Sequence, residues 1–484
     1  MYLSSPIFTL YIPRIRLNLQ LAEVLPFMPR SWFQLFAALL VSIAVMPSFQ
    51  VWGAPAFLAA GSAFSQAVMV DGNRAAWGDN AFGSLGDGSI FSQLFPLQIA
   101  SSGDWLTLAA GGSHVLGIRG DEVDVTTNTL WAWGANSEGQ LGLGSNTDQY
   151  VAQQVSAGSG HYWVDVSVGD AHTLAIRDDS TLWSWGWNLL GQLGTGDIED
   201  SNVPVQVGLA SNWSQVAAGS YFSLAINGLG ELWAWGDNYN GQLGINSTVN
   251  QLTPTRVGTA SNWVSVVAGD LHVLAVNANG ELWAWGGNAN GELGIGITYE
   301  SIAVAFEDEP VRVGSEINWL KIAAGGSYSL AILGDGIVVD AGTLWSWGKN
   351  NDGQLGLSDL DGRIAPAQVG SASDWGEVAA GSRHSLAYNT DNTLYSWGSN
   401  GYGQLGRDST DNWSSPQPVD LSAIPVVDGS QIYDPGAVDS DGDGIPDVYD
   451  ALPDDSSHAA NGDLDQNGLL EVADYKLAVR ILLG

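Results

Sequence analysis

The side chains best placed to do chemistry crowd the C-terminus. "DSDGDGIPDVYD" sets Asp439, Asp441, Asp443, Asp447 and Asp450 at short intervals. A second run, "DLDQNGLLEVAD", places Asp463, Asp465, Asn467, Glu471 and Asp474 at loop positions 1, 3, 5, 9 and 12, with Gly468 at position 6. Residues 434–474 hold twelve Asp or Glu and no Lys or Arg. Repulsion alone would keep such a run extended. Carboxylates spaced by glycine instead suit a hard cation that takes six to eight oxygen ligands, and the second spacing is that of an EF-hand loop. Calcium is therefore the expected cofactor. Elsewhere His114, His172, His272 and His384 recur once per repeat. Ligands so distributed do not converge on one metal, and each is expected to make a core hydrogen bond. No Gly-x-Ser-x-Gly elbow, phosphate loop, dinucleotide fingerprint or zinc-protease helix occurs. The remaining acids are too scattered to nominate a glycosidase pair.

What positions these groups is a phrase written many times. Trp-Gly pairs stand at Trp77, Trp133, Trp185, Trp235, Trp285, Trp347 and Trp397, in steps of 56, 52, 50, 50, 62 and 50 residues. A second phrase, such as "VVAGDLHVLAV" at 266–276, interleaves with the first. Its aromatic position holds the four histidines, and Phe64, Phe222 or Tyr328 in the other repeats. Short apolar or alternating runs cut by Gly, Asn and Asp read as four-stranded antiparallel blades. No window in the array sustains a helical period. The expected fold is all-β: a seven-bladed β-propeller over 54–428, plus a small calcium-binding tail with a short helix. Residues 57–70 carry the second phrase with no Trp-Gly before it, and the last Trp-Gly has no second phrase after it. The ring is thus expected to be closed by its N-terminal strands, residues 57–70 completing a composite blade begun at Leu394. The repeated tryptophans are expected to pack between blades rather than touch a ligand.

"LWAWGDNYNGQLG" with "VVAGDLHVLAV" resembles the regulator of chromosome condensation repeat family, and the resemblance covers 57 to about 420. It implies a seven-bladed propeller. The first repeat departs, with "RAAWGDNAFGSLG" in place of "LWAWG". The acidic stretch within 429–457 resembles a thrombospondin type 3 calcium motif. Residues 461–484 resemble one half of a bacterial dockerin, with Asp474 in place of the usual Glu, and imply a cohesin-like partner.

Composition narrows the partner. Net charge is −36 with only 15 Lys plus Arg, which opposes nucleic acid because phosphate contacts need a basic patch. No cysteine is present, so no disulfide forms. Arg14, Arg16 and Arg30 precede an apolar run from Trp32 to Met46 and then small residues, the layout of a leader over 1–53. The run is short for a full span, so no stable membrane span is expected after cleavage, and the protein is expected to be secreted or in the envelope or periplasm. The nuclear roles of the resembled family do not fit that compartment or charge. Within the phrase, the two residues after the Asn of "WGxN" vary while their neighbours hold. Equivalent turns should share one face, presenting Phe82, Trp187, Leu189, Leu190, Tyr239 and Tyr402 to a protein or cell-surface ligand. Non-catalytic binding is the expected function. The alternative is an extracellular polysaccharide-active or other hydrolytic enzyme built on the ring.

Overall fold

The computed structural model describes residues 9–12, 15–18, 55–69, 72–100, 105–120, 125–297, 305–336, 341–422 and 424–428. The chain divides into two compact units, 1–52 and 53–484. In the first, Thr9–Ile12 pairs antiparallel with Ile15–Asn18. The leader's apolar run and the calcium-motif residues 429–484 lie outside the described residues.

In the second unit each strand pairs with its neighbour in sequence. The stretch 163–206 is typical: Trp163–Val168, His172–Arg177, Leu182–Gly186 and Ser201–Gln206 form one antiparallel sheet in chain order. The same plan recurs over 55–100, 105–155, 213–256, 263–312, 319–368 and 375–418, giving seven four-stranded blades, numbered here in chain order. Two glycines in each are enforced by geometry. Gly186 has φ +102°, a left-handed conformation that side chains rarely adopt, and a Cβ there would lie 2.8 Å from His172 Cα. Gly169 has an ordinary φ, but a Cβ would overlap the His172 ring, as one at Gly219 would overlap the Phe222 ring. The ring three residues on lies close to the corresponding glycine in every blade.

The expected composite blade does not form. Phe64–Met69 pairs with Pro55–Ala60 and with Arg74–Gly78, so residues 57–69 belong to a complete first blade. Leu394–Gly398 pairs with His384–Asn389, the strand just before it. The Ala-Gly phrase opens each blade and the Trp-Gly phrase follows within the same blade. The local hairpin wins because its loop is only a few residues long, whereas the composite would close over most of the chain. No sheet closes into a barrel, and no α-helix occurs among the described residues, only a 3₁₀ turn at Val125–Thr127. The fold is a multi-bladed, propeller-like circle in which the Gly342–Trp375 pairing joins the sixth and seventh blades into one continuous sheet, and the expected closure by N-terminal strands is wrong.

Blade 7 meets blade 1 through side chains. Ala67, Ala75 and Trp77 pack with Ala379, Leu386, Leu394 and Val419. The C-terminal strand Val426–Asp428 adds in parallel to the outer edge of blade 1 at Gln98–Ala100. The tryptophan of every Trp-Gly pair is fully buried, as expected of packing residues. Each indole reaches back to the preceding blade: Trp185 Nε1 donates to Gln140 O at 2.9 Å, Trp235 to Gln192 O at 2.9 Å, and Trp77 to Gln404 O at 2.8 Å across the closure.

The variable aromatic is matched to the next blade. His114 meets Thr173, His172 meets Ser223, His272 meets Ser329 and His384 meets Ser65, at 3.3, 3.0, 2.9 and 2.9 Å from imidazole Nε2 to hydroxyl. Tyr328 meets Ser385 at 3.0 Å. Where the ring is Phe64 or Phe222, the corresponding position of the next blade is Val115 or Val273. Hydroxyl answers imidazole Nε2 and methyl answers phenyl, while Nδ1 of each of the four histidines stays buried without a hydrogen-bond partner. The departing first repeat is explained too. Arg74 replaces the usual leucine and lies buried, donating to Gln66 Oε1, Leu85 O and Gly86 O, with its guanidinium 4.4 Å from the Trp133 ring centroid. Burial pulls its pKa down to about 9, which leaves it a cation at neutral pH.

Candidate functional site

One end of the circle is built from two loops per blade. His172 pairs with Gly186, so the start of the second strand lies beside the end of the third. The Trp187 N–H donates to Ala171 O at 2.9 Å, and the same bond recurs from Asp79, Ala135, Asp237, Gly287, Lys349 and Ser399. Both the Ala-Gly turn and the Trp-Gly loop therefore emerge together. Within each Trp-Gly loop the asparagine is a clamp. Asn136 Oδ1 accepts the Leu141 N–H at 3.0 Å while Nδ2 donates to Ser145 O and Thr147 O. The Oδ1 bond recurs in all seven blades. This fixed frame holds the variable pair outward. Phe82 (46%), Leu189 (57%), Tyr239 (78%) and Tyr402 (55%) are exposed at its tips. Leu190 is half-buried, its N–H donating to Gln192 Oε1. Trp187 is also half-buried and packs edge-on against Tyr221, with ring centroids 5.1 Å apart.

Nearer the axis stand residues that the sequence reading passed over. The seven Ala-Gly turns converge on an axial mouth of about 90 Å³ lined by Gly61, Gly111, Gly169, Gly219, Gly269 and their neighbours. The turns touch in succession: Asp170 N–H to Ser220 O at 3.3 Å, Gly326 N–H to Ser382 O at 3.3 Å, and Ser382 Oγ to Ser62 Oγ at 3.2 Å. Its charged lining groups are Asp170 of blade 3 and Asp270 of blade 5, with Ser220 of blade 4 between. Burial, with repulsion from Asp170, raises Asp270 to about 6. Asp170 is raised as well, mainly by burial, against bonds from Ser220 and the Tyr221 hydroxyl. Tyr221 and Leu271 are exposed beside them. A signal existed: the residue after the mouth position varies as Ala63, Ser113, Ala171, Tyr221, Leu271, Ser327 and Arg383 within an otherwise constant phrase.

The histidine–hydroxyl pairs have the spacing of an activated nucleophile. Their bonding denies that role. Ser223 Oγ donates to Gln192 O at 2.7 Å, so His172 must donate from Nε2 and is not poised as a base. The histidines are fully buried, and burial lowers His114 and His172 to about 3 and His272 and His384 to about 4. The sequence expectation of core hydrogen bonds holds. At the opposite end, His161 Nδ1 lies 3.0 Å from Asp178 and 3.8 Å from Asp179, and Arg177 occupies Asp179 at 2.8 Å. An imidazole with an already paired carboxylate is a poor match to calcium's oxygen shell. The expected calcium ligands Asp439 to Asp474 lie outside the described residues.

The comparisons with known proteins accord with this geometry. The RCC1-like domain model matches residues 129–437, and the regulator of chromosome condensation (RCC1) repeat matches 75–118. The ultraviolet-B receptor UVR8 of Arabidopsis thaliana is 33% identical over 152 residues, 31% of this chain and 33% of that protein. The human E3 ubiquitin-protein ligase HERC2 is 33% identical over 145 residues, 29% of this chain and 3% of that protein. The chain thus spans a third or less of these curated relatives. Among solved structures, yeast RCC1 bound to Kap60 superposes with TM-score 0.62 at 23% identity, covering 72% of this chain and 83% of that one. Human WBSCR16 gives 0.62 at 22% identity, covering 72% and 94%. These likenesses concern the fold. With a family match that takes in well over half of its residues, the chain belongs to the RCC1-like domain family.

Proposed function

We propose that this protein is an exported, non-catalytic binding scaffold that presents the loop-bearing end of its ring to a protein or cell-surface ligand. The observation that carries the reading is the fixed frame with variable tips. Seven asparagine-clamped loops hold Phe82, Leu189, Tyr239 and Tyr402 exposed on one end, with Tyr221 and Leu271 nearer the axis. Aromatic and aliphatic side chains ringed by polar ones are the make-up of a contact surface. Relatives with unlike overall activities, a light receptor and a ubiquitin ligase by name, share the repeat, as a reusable scaffold would. Yeast RCC1 was solved bound to another protein, Kap60. Export rests on the basic residues and apolar run before residue 53. The acidic tail adds a calcium-dependent element on the strength of its ligand spacing.

The test compares captures. Full-length protein and a variant carrying Tyr239→Ala, Tyr402→Ala and Leu189→Ser serve as parallel baits against envelope and culture-medium fractions. Anchors of this kind cost about 2 kcal/mol or more when truncated, so the partner should be retained at least about tenfold less by the variant at equal melting temperature. Equal retention by both baits refutes this face as the contact surface.

A further inference from the structure

The axial mouth combines three features that favour one class of ligand. Its shape is a narrow opening of about 90 Å³ whose wall is mostly glycine and alanine, so a slender group can enter. Its charge is concentrated on one side. Asp170 and Asp270 face it from blades 3 and 5, and the Asp270 carboxylate reaches over Gly326, where a Cβ would come 3.0 Å from Oδ2. Its rim beside Asp170 is aromatic: Tyr221 bonds that carboxylate and Trp187 packs on Tyr221 at 5.1 Å. The basic residues at the equivalent turns of this end, Lys349 and Arg383, belong to blades 6 and 7. A cation is thus steered toward blades 3 to 5. Two carboxylates and a few hydroxyls fall short of the oxygen shell of a hard metal ion, whereas an organic cation is satisfied by carboxylates at its head and aromatic faces along its stem.

We propose that the mouth receives one lysine or arginine side chain of the protein docked on this face, its head between Asp170 and Asp270 and its stem along Tyr221 and Trp187. This deepens the binding-face reading above and rests on it. Burial of both carboxylates, with repulsion from Asp170 on Asp270, leaves the pair in want of a counter-ion. A cation from the partner would relieve both costs, so the pair contributes more to binding than an exposed pair would.

The test needs no partner. Three capped tripeptides, differing only in a central lysine, arginine or norleucine, are titrated into the full chain at neutral pH and low salt, with binding read by ligand-observed NMR. The lysine and arginine probes should bind at least about tenfold more tightly than the norleucine probe. Asp170→Asn with Asp270→Asn should abolish that preference, while Asp391→Asn at the opposite end leaves it intact. The melting temperature of the double variant at neutral pH should equal or exceed that of the parent, because two strained carboxylates are removed. Equal binding of all three probes, or a preference that survives the double variant, overturns the proposal. Displacement of the lysine probe by millimolar calcium chloride but not by choline chloride at equal ionic strength also overturns it, in favour of a metal site. The capture experiment with Tyr239 and Tyr402 stands apart. If it fails while the probes behave as expected, the mouth binds cations but the face is not the docking surface. If it succeeds while the probes fail, the face stands without the axial contact.

Discussion

Replacing His172 with Phe and Ser223 with Val should remove one proton from the acid response of this protein and leave its fold intact. The chain itself supplies the precedent, because Phe222 against Val273 occupies the same place one blade on. Gln192 O loses the Ser223 hydroxyl but keeps the Trp235 indole at 2.9 Å, so no buried carbonyl is orphaned. In the parent, burial holds His172 neutral down to about pH 3, against an ordinary value of 6.5. The unfolded chain therefore takes up a proton that the folded one refuses. Its contribution to stability is complete above pH 6.5 and falls as pH drops toward the folded value, by about 1.4 kcal/mol per pH unit. Between pH 7 and 4.5 this residue alone should cost the parent about 2–3 kcal/mol that the double variant keeps. Asp165 and Asp270, raised to about 6 mainly by burial, act with the opposite sign, since they bind protons in the folded state first. Asp170 and Glu292, also raised mainly by burial, act in the same sense as those two, so the whole protein's response is a balance of groups and the comparison with the double variant isolates His172. Urea unfolding of both proteins at a series of pH values reads the difference directly, and the general easing of carboxylate repulsion cancels between them. A stability difference that stays constant with pH would refute a buried neutral imidazole at this site.

Trp235→Ala should cost about 3–5 kcal/mol, because a fully buried indole and its bond to Gln192 O are both lost, whereas Tyr239→Ala should cost under about 0.5 kcal/mol; thermal melts of the two variants settle the contrast. Ending the chain after Ser422 removes the parallel strand from Gln98–Ala100 and should lower the melting temperature by a few degrees. Deleting 57–69 removes an inner hairpin of blade 1 and should prevent cooperative folding altogether, as followed by near-ultraviolet circular dichroism. Calcium titrated into the full chain should reveal saturable binding by calorimetry that Asp463→Ala with Asp465→Ala reduces; heat identical to that of the variant at millimolar calcium would remove the tail from the calcium-binding reading.

The repeat arithmetic was fully legible in the sequence. Seven Trp-Gly pairs, the glycines beside them and the alternation of short apolar runs follow from period-two burial and turn chemistry, both local. The packing role of the tryptophans was legible for the same reason, since a ring written into every blade must fill the same wedge. The exposed tips at Phe82, Leu189, Tyr239 and Tyr402 could be named because variation inside a constant phrase marks the positions that packing leaves free. The cut between one blade and the next was not legible. The two phrases alternate around a circle, and a circle of alternating phrases can be divided at either join. Only the pairing of Phe64–Met69 with Arg74–Gly78 decides it, by making each blade continuous in sequence. Contacts between consecutive blades were also beyond the sequence reading, although each leaves a trace about fifty residues away. His172 with Ser223, and Phe222 with Val273, are partners only because adjacent sheets stack face to face. The axial mouth is the extreme case. Asp170 and Asp270 are a hundred positions apart, and no local rule relates them; the curvature of the whole ring brings their turns to one axis and sets two carboxylates where burial raises both.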